Sequence, residues 1–238
     1  MKRLVFLDIQ HAGKPPAKMS DRGAAADLNH NGITEISEAE ARWTAVIAFH
    51  LEGHLLSAGY QVITLSDGWY KDRHARVNDY AGQAGELGYA RSVYLALHLN
   101  SLHGGQPSDS SGTYSSFFYH HGTTQGNGDL LAQGIAESMK DQLAEWYAMP
   151  DSELSYHTDP ATLHKQKPDA RAIAAWPTGW TKNAFYTIKG VGQSVAICAE
   201  PYFLDQIMHP ISEGGMKRAA RALFEGIHGW FLYKEQTS

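Results

Sequence analysis

Short apolar segments alternate with longer stretches of helical periodicity along this chain, and the alternation limits the fold more than any other feature of the sequence. The apolar segments have the length of single buried strands, and the segments between them repeat apolar residues every three to four positions. This order indicates an α/β fold with a twisted, largely parallel sheet that is flanked by helices on both faces. The predicted strands are residues 4–8, 61–65, 92–99, 112–120 and 194–199, and the predicted helices are residues 40–58, 72–87, 130–146 and 216–232.

Length and composition predict one domain. The chain has 238 residues, of which 43% are hydrophobic and 19% are charged, as is usual for globular proteins. A chain of this size can bury about 70–75% of its unfolded surface. We therefore assign residues 1–238 to a single domain with two irregular insertions, near residues 14–36 and 149–190.

Charge, cysteine content and hydropathy exclude several classes of protein. Twenty Lys and Arg residues against 25 Asp and Glu residues give a net charge of −5 without a long basic run, so we expect no nucleic-acid partner. The single cysteine, Cys198, excludes a disulfide framework and lies in an apolar run, where it should fill the core. No apolar run reaches the roughly 18 residues of a transmembrane helix, so we expect no insertion into membranes. The expected oligomeric state is a monomer.

Polar side chains stand at the ends of three predicted strands. His11 follows the first strand, His98 lies at the end of the third and Glu200 follows the last. The carboxyl ends of parallel strands meet at one edge of a sheet, where binding sites gather. Because imidazole and carboxylate are common zinc ligands, these three residues predict a metal site at that edge.

Three motifs resemble those of a known enzyme family. Residues 7–13 (Leu-Asp-Ile-Gln-His-Ala-Gly), 97–101 (Leu-His-Leu-Asn-Ser) and 197–204 (Ile-Cys-Ala-Glu-Pro-Tyr-Phe-Leu) are similar to three motifs of the zinc-dependent N-acetylmuramoyl-L-alanine amidases of the amidase-3 family. The family motifs read Asp-Pro-Gly-His-Gly-Gly, Ser-Ile-His-Ala-Asn-Ser and Leu-Val-Glu-Xaa-Gly-Phe-Leu. Their order and spacing match over nearly the whole chain. The resemblance implies a Zn²⁺ enzyme that cleaves the amide between the lactyl group of N-acetylmuramic acid and L-alanine in peptidoglycan.

The resemblance also implies roles for single residues. His11, Glu40 and His98 would bind zinc, and Glu200 would act as general base and then general acid. Glu40 stands at the family's spacing from Gly59, where the helix ends, although residues 37–40 (Ser-Glu-Ala-Glu) also form a capping box.

Three further residues near the zinc ligands bear on the match. Glu35 is the alternative to Glu40, because residues 32–35 match the family's Gly-Xaa-Xaa-Glu spacing. Gln10 departs from the family, which has glycine before the first histidine. Asp8 is expected to orient His11 through its other ring nitrogen.

A calcium-loop pattern, D-x-[DN]-x-[DN]-G-x5-E, spans residues 27–38. It makes Ca²⁺ a second candidate ion, and the alternative is an Asn- and Gly-rich turn before a capped helix. The loop would supply oxygen ligands from Asp27, Asn29, Asn31, the Ile33 carbonyl and Glu38.

The expected partner is peptidoglycan. Asn100, Trp176 and Trp180 are assigned to a substrate cleft, because aromatic rings stack on sugars, although packing in a lid or core explains the two tryptophans equally well.

The expected setting is a phage-type endolysin. The first apolar stretch is too short for a signal peptide, so we expect synthesis in the cytoplasm and action on the cell wall after release.

Two other functions remain open. One is another zinc amidohydrolase or carboxypeptidase with the same ligands, and the other is a non-catalytic wall-binding module, which would leave Glu200 without a role.

Overall fold

The computed structural model describes residues 2–11, 40–99, 116–120, 128–143, 155–157, 172–176, 186–202, 204 and 211–237. The strands are β1 (Lys2–Ile9), β2 (Gln61–Leu65), β3 (Tyr89–Leu97), β4 (Ser116–His120), β5 (Ser155–His157), β6 (Ala172–Trp176) and β7 (Val195–Glu200). The helices are α1 (Glu40–Ser57), α2 (Tyr70–Glu86), α3 (Gly128–Leu143), α4 (Tyr186–Lys189) and α5 (Glu213–Gln236).

The described strands form one seven-stranded sheet in the order β2-β1-β3-β7-β4-β6-β5. Strands β2, β1, β3 and β7 run parallel to one another. Strand β4 pairs with β7 in the antiparallel direction, and β6 and β5 run parallel to β4. The predicted α/β fold with a largely parallel sheet is therefore confirmed.

Successive side chains of the central strands point to opposite faces of the sheet, so the core is divided into two parts. In β1, Val5 and Leu7 point to a face that is packed by α1, α3 and α5, called here the α5 face. Leu4 and Phe6 point to the opposite face, which is packed by α2 and α4 and is called the α2 face. Helices cover both faces as predicted, because strands buried on both sides need an apolar cover on each.

Local signals in the sequence set several element boundaries. Helix α1 ends at Ser57, and Gly59 adopts a left-handed φ of 81° that turns the chain into β2, as the position of this glycine predicted. At the start of α5 the Ser212 hydroxyl accepts a hydrogen bond from the Gly215 N–H at 3.1 Å.

The prediction of irregular structure near residues 149–190 was wrong for β5, β6 and α4, which lie inside that range. Three- to five-residue elements are too short to show a period in the sequence. The insertion near residues 14–36 lies outside the described residues, and the assignment of the whole chain to one domain stays a prediction.

Two smaller predictions concern burial and membranes. Cys198 is 1% exposed and packs on the α2 face, which confirms its place in the core. Among the described residues, no helix combines the length and hydropathy that crossing a bilayer requires.

Candidate metal centre

The parallel register brings the ends of three strands together. Ile9 of β1 pairs with Leu97 of β3, and Leu97 pairs with Ala199 of β7. The His98 N–H donates to the Ala199 carbonyl at 2.9 Å, which extends the β3–β7 ladder by one step. His98 therefore stands between the end of β1, where His11 follows, and Glu200 at the end of β7.

Glu40 opens α1 and brings a carboxylate to this edge. Its Oε1 accepts hydrogen bonds from Nδ1 of His98 at 2.9 Å and from the Leu99 N–H at 3.0 Å. Its Oε2 lies 3.7 Å from Nε2 of His11. Glu40 is only 3% exposed, so the first residue of the helix faces inward toward the two histidines rather than outward as a cap.

Thr44 ties the first turn of α1 to the end of β1. Its hydroxyl lies 3.0 Å from the Glu40 carbonyl oxygen and 3.4 Å from the Gln10 carbonyl oxygen. The helix that carries Glu40 is thus fastened directly to the strand that leads into His11. Nothing in the sequence predicted this role, because a threonine one turn into a helix is common.

The donor set suits a zinc ion. One ligating atom from each of His11, Glu40 and His98 can be chosen so that all three lie within 4.8 Å of one another. Nε2 of His98 is buried and has no hydrogen-bond partner within the part of the chain that the structure describes. Two imidazole nitrogens and one carboxylate oxygen are the ligands of many catalytic zinc sites, which keep a further position for water or substrate.

Electrostatics pair Glu40 with His98. Burial raises the pKa of Glu40, but the hydrogen bond from His98 and the charges of both histidines bring it below its ordinary value. Burial lowers the pKa of His98, but the hydrogen bond and charge of Glu40 raise it above its ordinary value. The two shifts share one cause, because the carboxylate and the imidazole, 2.9 Å apart, each stabilise the charged form of the other.

Glu200 lies close enough to this pair to interact with it electrostatically. Burial raises the pKa of Glu200 to about 7, His98 opposes the rise and Glu40 adds to it. A carboxyl group with a pKa near neutrality can take up a proton and release it again under ordinary conditions.

His11 has an unusual backbone conformation. Its φ is 61°, in the left-handed region, which among the described residues no other non-glycine residue adopts. Histidine is one of the residue types that visit this region, although at a cost. The turn directs the chain out of β1 immediately after the strand ends, and nothing in the sequence predicted it.

The carboxylate of Asp8 has two partners that the sequence did not predict. Oδ1 accepts a hydrogen bond from Nη1 of Arg73, and Oδ2 accepts one from the Tyr94 hydroxyl. An aspartate inside an apolar strand signals a buried charge that needs a partner, but the sequence does not say which one. The expected contact of Asp8 with His11 stays a prediction.

The side chains of the remaining predicted site residues lie outside the described part of the chain. Trp176 ends β6, and only its backbone is described. The others lie outside the described residues: Glu35, Asn100, Trp180 and the calcium-loop residues Asp27, Asn29, Asn31, Ile33 and Glu38.

Comparison with known proteins places the fold. No protein-family model and no curated protein matches the sequence, but solved structures do. Cwp6 from Clostridium difficile matches with a TM-score of 0.60 and 18% identity over 96% of this chain, which spans 29% of that chain. The N-acetylmuramoyl-L-alanine amidase AmiC2 of Nostoc punctiforme matches with a TM-score of 0.58 and 14% identity, over 96% of this chain and 97% of that one.

A third structure, the CwlD amidase from Clostridioides difficile in complex with the GerS lipoprotein, matches with a TM-score of 0.60 and 15% identity, over 97% of this chain and 98% of that one. At such identities the likeness concerns the fold alone. This chain has the fold of N-acetylmuramoyl-L-alanine amidases, as its motifs predicted.

Proposed function

We propose that this protein is a zinc-dependent N-acetylmuramoyl-L-alanine amidase that cleaves the amide between N-acetylmuramic acid and the L-alanine of the stem peptide. The observation that carries the proposal is the convergence of His11, Glu40 and His98, with Glu200 at the end of the neighbouring strand. The fold shared with AmiC2, which is named as an N-acetylmuramoyl-L-alanine amidase, and with CwlD, which is named as an amidase, supports it.

The roles of the residues follow from their chemistry. A zinc ion held by His11, Glu40 and His98 would supply an activated water molecule and polarise the amide carbonyl. Glu200 accepts a proton from the attacking water and passes it to the nitrogen of the leaving L-alanine. Because burial raises the pKa of this carboxyl group to about 7, the group suits both halves of the transfer.

An exposed tryptophan favours a glycan-containing substrate over a peptide alone. Trp69 follows β2 at the same edge of the sheet and is 64% exposed. Two positions earlier, Asp67 is anchored by two arginines of α2. Arg73 Nε donates to the Asp67 carbonyl at 3.0 Å, and Arg76 Nη2 donates to Oδ1 of Asp67 at 2.9 Å. An exposed indole ring on this anchored segment can stack on a sugar ring of the glycan strand.

Digestion of purified peptidoglycan tests the proposal. The native protein should release stem peptides with new L-alanine amino ends and leave free lactyl carboxylates on the glycan. Glu200→Gln should retain zinc and fold while its turnover falls by about 10²–10⁴-fold, because a positioned acid–base group contributes that much. His98→Ala should lose both zinc and activity.

Three other results would contradict the proposal. Full activity in Glu200→Gln would assign the base to another residue. Release of terminal amino acids would indicate a carboxypeptidase, and wall binding without peptide release would indicate a non-catalytic module. The phage-type endolysin setting stays a prediction, and lysis of living cells by protein added from outside is the assay for it.

A further inference from the structure

A buried charge cluster lies directly behind the proposed zinc site. It consists of Asp8, Arg73 and Tyr94, which are 0%, 1% and 0% exposed, and it is called here the Asp8 cluster. Both oxygens of the Asp8 carboxylate accept hydrogen bonds within the cluster, from Arg73 and Tyr94. Asp8 is separated from His11 by only two residues of the same chain segment.

Stability alone is a poor explanation for such a cluster. Moving a carboxylate and a guanidinium out of water costs free energy that their attraction repays only in part, and apolar replacements are often as stable or more so. The α5 face of the same sheet is packed with an apolar core and shows that this chain can fill a sheet face with apolar side chains. What a buried ion pair adds is a fixed direction for the groups it holds.

The groups held are the last residues before His11. Arg73 Nη1 also donates to the Ile9 carbonyl at 3.2 Å, so α2 grips the peptide group next to the strand end. From the other side of the sheet, the Thr44 hydroxyl of α1 approaches the Gln10 carbonyl oxygen at 3.4 Å. Two successive carbonyl groups are therefore contacted from opposite faces immediately before the left-handed turn at His11.

A left-handed histidine needs such support. This conformation costs free energy for a residue with a side chain and persists only where the surroundings impose it. In this conformation Nε2 of His11 lies 3.7 Å from Oε2 of Glu40. If the end of β1 were free to relax, His11 would no longer be held toward Glu40 and His98.

We infer that Arg73 is a positioning residue for the metal centre: through Asp8 and the Ile9 carbonyl it holds the end of β1 so that His11 is preorganised as a ligand. The inference rests on the zinc site of the proposed function. It does not depend on the substrate that the site acts on.

Zinc affinity of the full chain, measured by competition with a chelating indicator, tests the inference. The double variant Asp8→Asn/Arg73→Met removes both charges together, so no unpaired ion is left in the core. Its zinc dissociation constant should rise by about 10–100-fold, the usual effect of losing an outer support of a metal ligand. Arg73→Lys keeps a positive charge beside Asp8 but loses the planar guanidinium that also reaches Ile9 and Asp67. The zinc affinity of this variant should therefore be intermediate between that of the native chain and that of the double variant.

The matched control is Leu55→Ala, which opens a cavity on the α5 face at the far end of α1. It should lower the stability of the metal-free chain while its zinc affinity changes by less than about threefold, because the metal ligands and their supports are untouched. Free energies of unfolding of the metal-free chains, measured in urea, identify how much each variant is destabilised.

Two outcomes would overturn the inference. In the first, the double variant binds zinc as tightly as the native chain, which would make the cluster purely structural. In the second, the native chain binds zinc no better than His98→Ala, which would refute the metal centre itself. Failure of the amidase proposal would look different, since zinc would bind normally while peptidoglycan remained uncleaved.

Discussion

The two faces of the central sheet are held by different chemistry. On the α5 face the residues of α1, α3 and α5 form an apolar core, with Leu51, Ile135 and Leu223 fully buried. The α2 face combines an apolar core with buried polar contacts, including the Asp8 cluster, the Ser92–Ser194 hydroxyl pair at 2.7 Å and the hydrogen bond between His74 Nε2 and the Thr187 carbonyl at 2.9 Å.

The two faces contribute differently to stability and to geometry. Apolar packing supplies most of the free energy of folding, but it is non-directional and tolerates changes in side-chain orientation. Buried hydrogen bonds add little net free energy, yet each is costly to break and demands a fixed geometry. The end of β1, where His11 follows, is therefore constrained mainly by Asp8 and Arg73 on the α2 face, with Thr44 contacting it from the other side. The α5 face supplies the larger apolar core of the described residues.

The largest expected effect is on the α5 face, where α3 and α5 cross closely. A Cβ on Gly226 would lie 2.5 Å from the Cα of Ile135, and backbone cannot move aside as a side chain can. Gly226→Ala should lower the free energy of unfolding by about 3 kcal/mol or more. Gly229→Ala is the control in the same helix, because nothing lies within 4 Å of its Cβ and alanine should stabilise the helix by up to about 1 kcal/mol. Equal stabilities of the two variants in urea would show that the helices are not in close contact.

A smaller loss of stability is expected at Gly190, a closely packed glycine on the α2 face. A Cβ on Gly190 would lie 2.4 Å from Nδ1 of His74, but here the obstacle is a side chain that can rotate. Gly190→Ala should cost about 1–3 kcal/mol, because His74 must give up its hydrogen bond to Thr187. Gly192→Ala, with open space around its Cβ, is the comparison in thermal unfolding, and a Gly190 variant as stable as this control would contradict the packing described.

The serine pair should show direct coupling across the α2 face. Ser92 and Ser194 lie on β3 and just before β7, and their hydroxyls are hydrogen-bonded in the buried interior. Each single change to alanine removes this bond, and the double change should cost less than the sum of the two, with a coupling of about 1 kcal/mol. Strict additivity in a double-mutant cycle would mean that the two hydroxyls do not interact.

The smallest effect is a pH dependence that belongs to the α2 face. Burial lowers the pKa of His74, so the folded protein keeps this imidazole neutral while the unfolded chain binds a proton below about pH 6.5. Its contribution to stability is present above that pH and is lost as the pH falls toward the lowered folded value. The stability of the native metal-free chain relative to His74→Phe should therefore decrease between pH 7 and pH 5.

Subtracting the free energy of unfolding of the His74→Phe variant removes the pH dependence that the other histidines contribute. His98, whose pKa is raised, contributes in the opposite direction, and its contribution is the same in both chains. A stability difference that does not change with pH would show that His74 is not neutral in the folded state.

Local pattern predicted the central elements well. The sequence placed β2 at residues 61–65 and α1 at residues 40–58, and the structure has Gln61–Leu65 and Glu40–Ser57. Periodicity and a terminating glycine are local properties, so a short segment of the sequence is enough to recognise them. The pairing of β4 with β7 in the antiparallel direction was not predicted, because strand direction depends on where the intervening chain travels.

The amino-acid sequence by itself determined the longer central elements and which polar residues stand at strand ends, because both depend on neighbours a few positions away. Only the tertiary structure decided that Oε1 and Oε2 of Glu40 approach different histidines and that Asp8 pairs with Arg73, 65 positions further along the chain. Such contacts depend on sheet register and on how two helices pack against the end of one strand. These are properties of the folded chain as a whole and leave no periodic trace in the sequence.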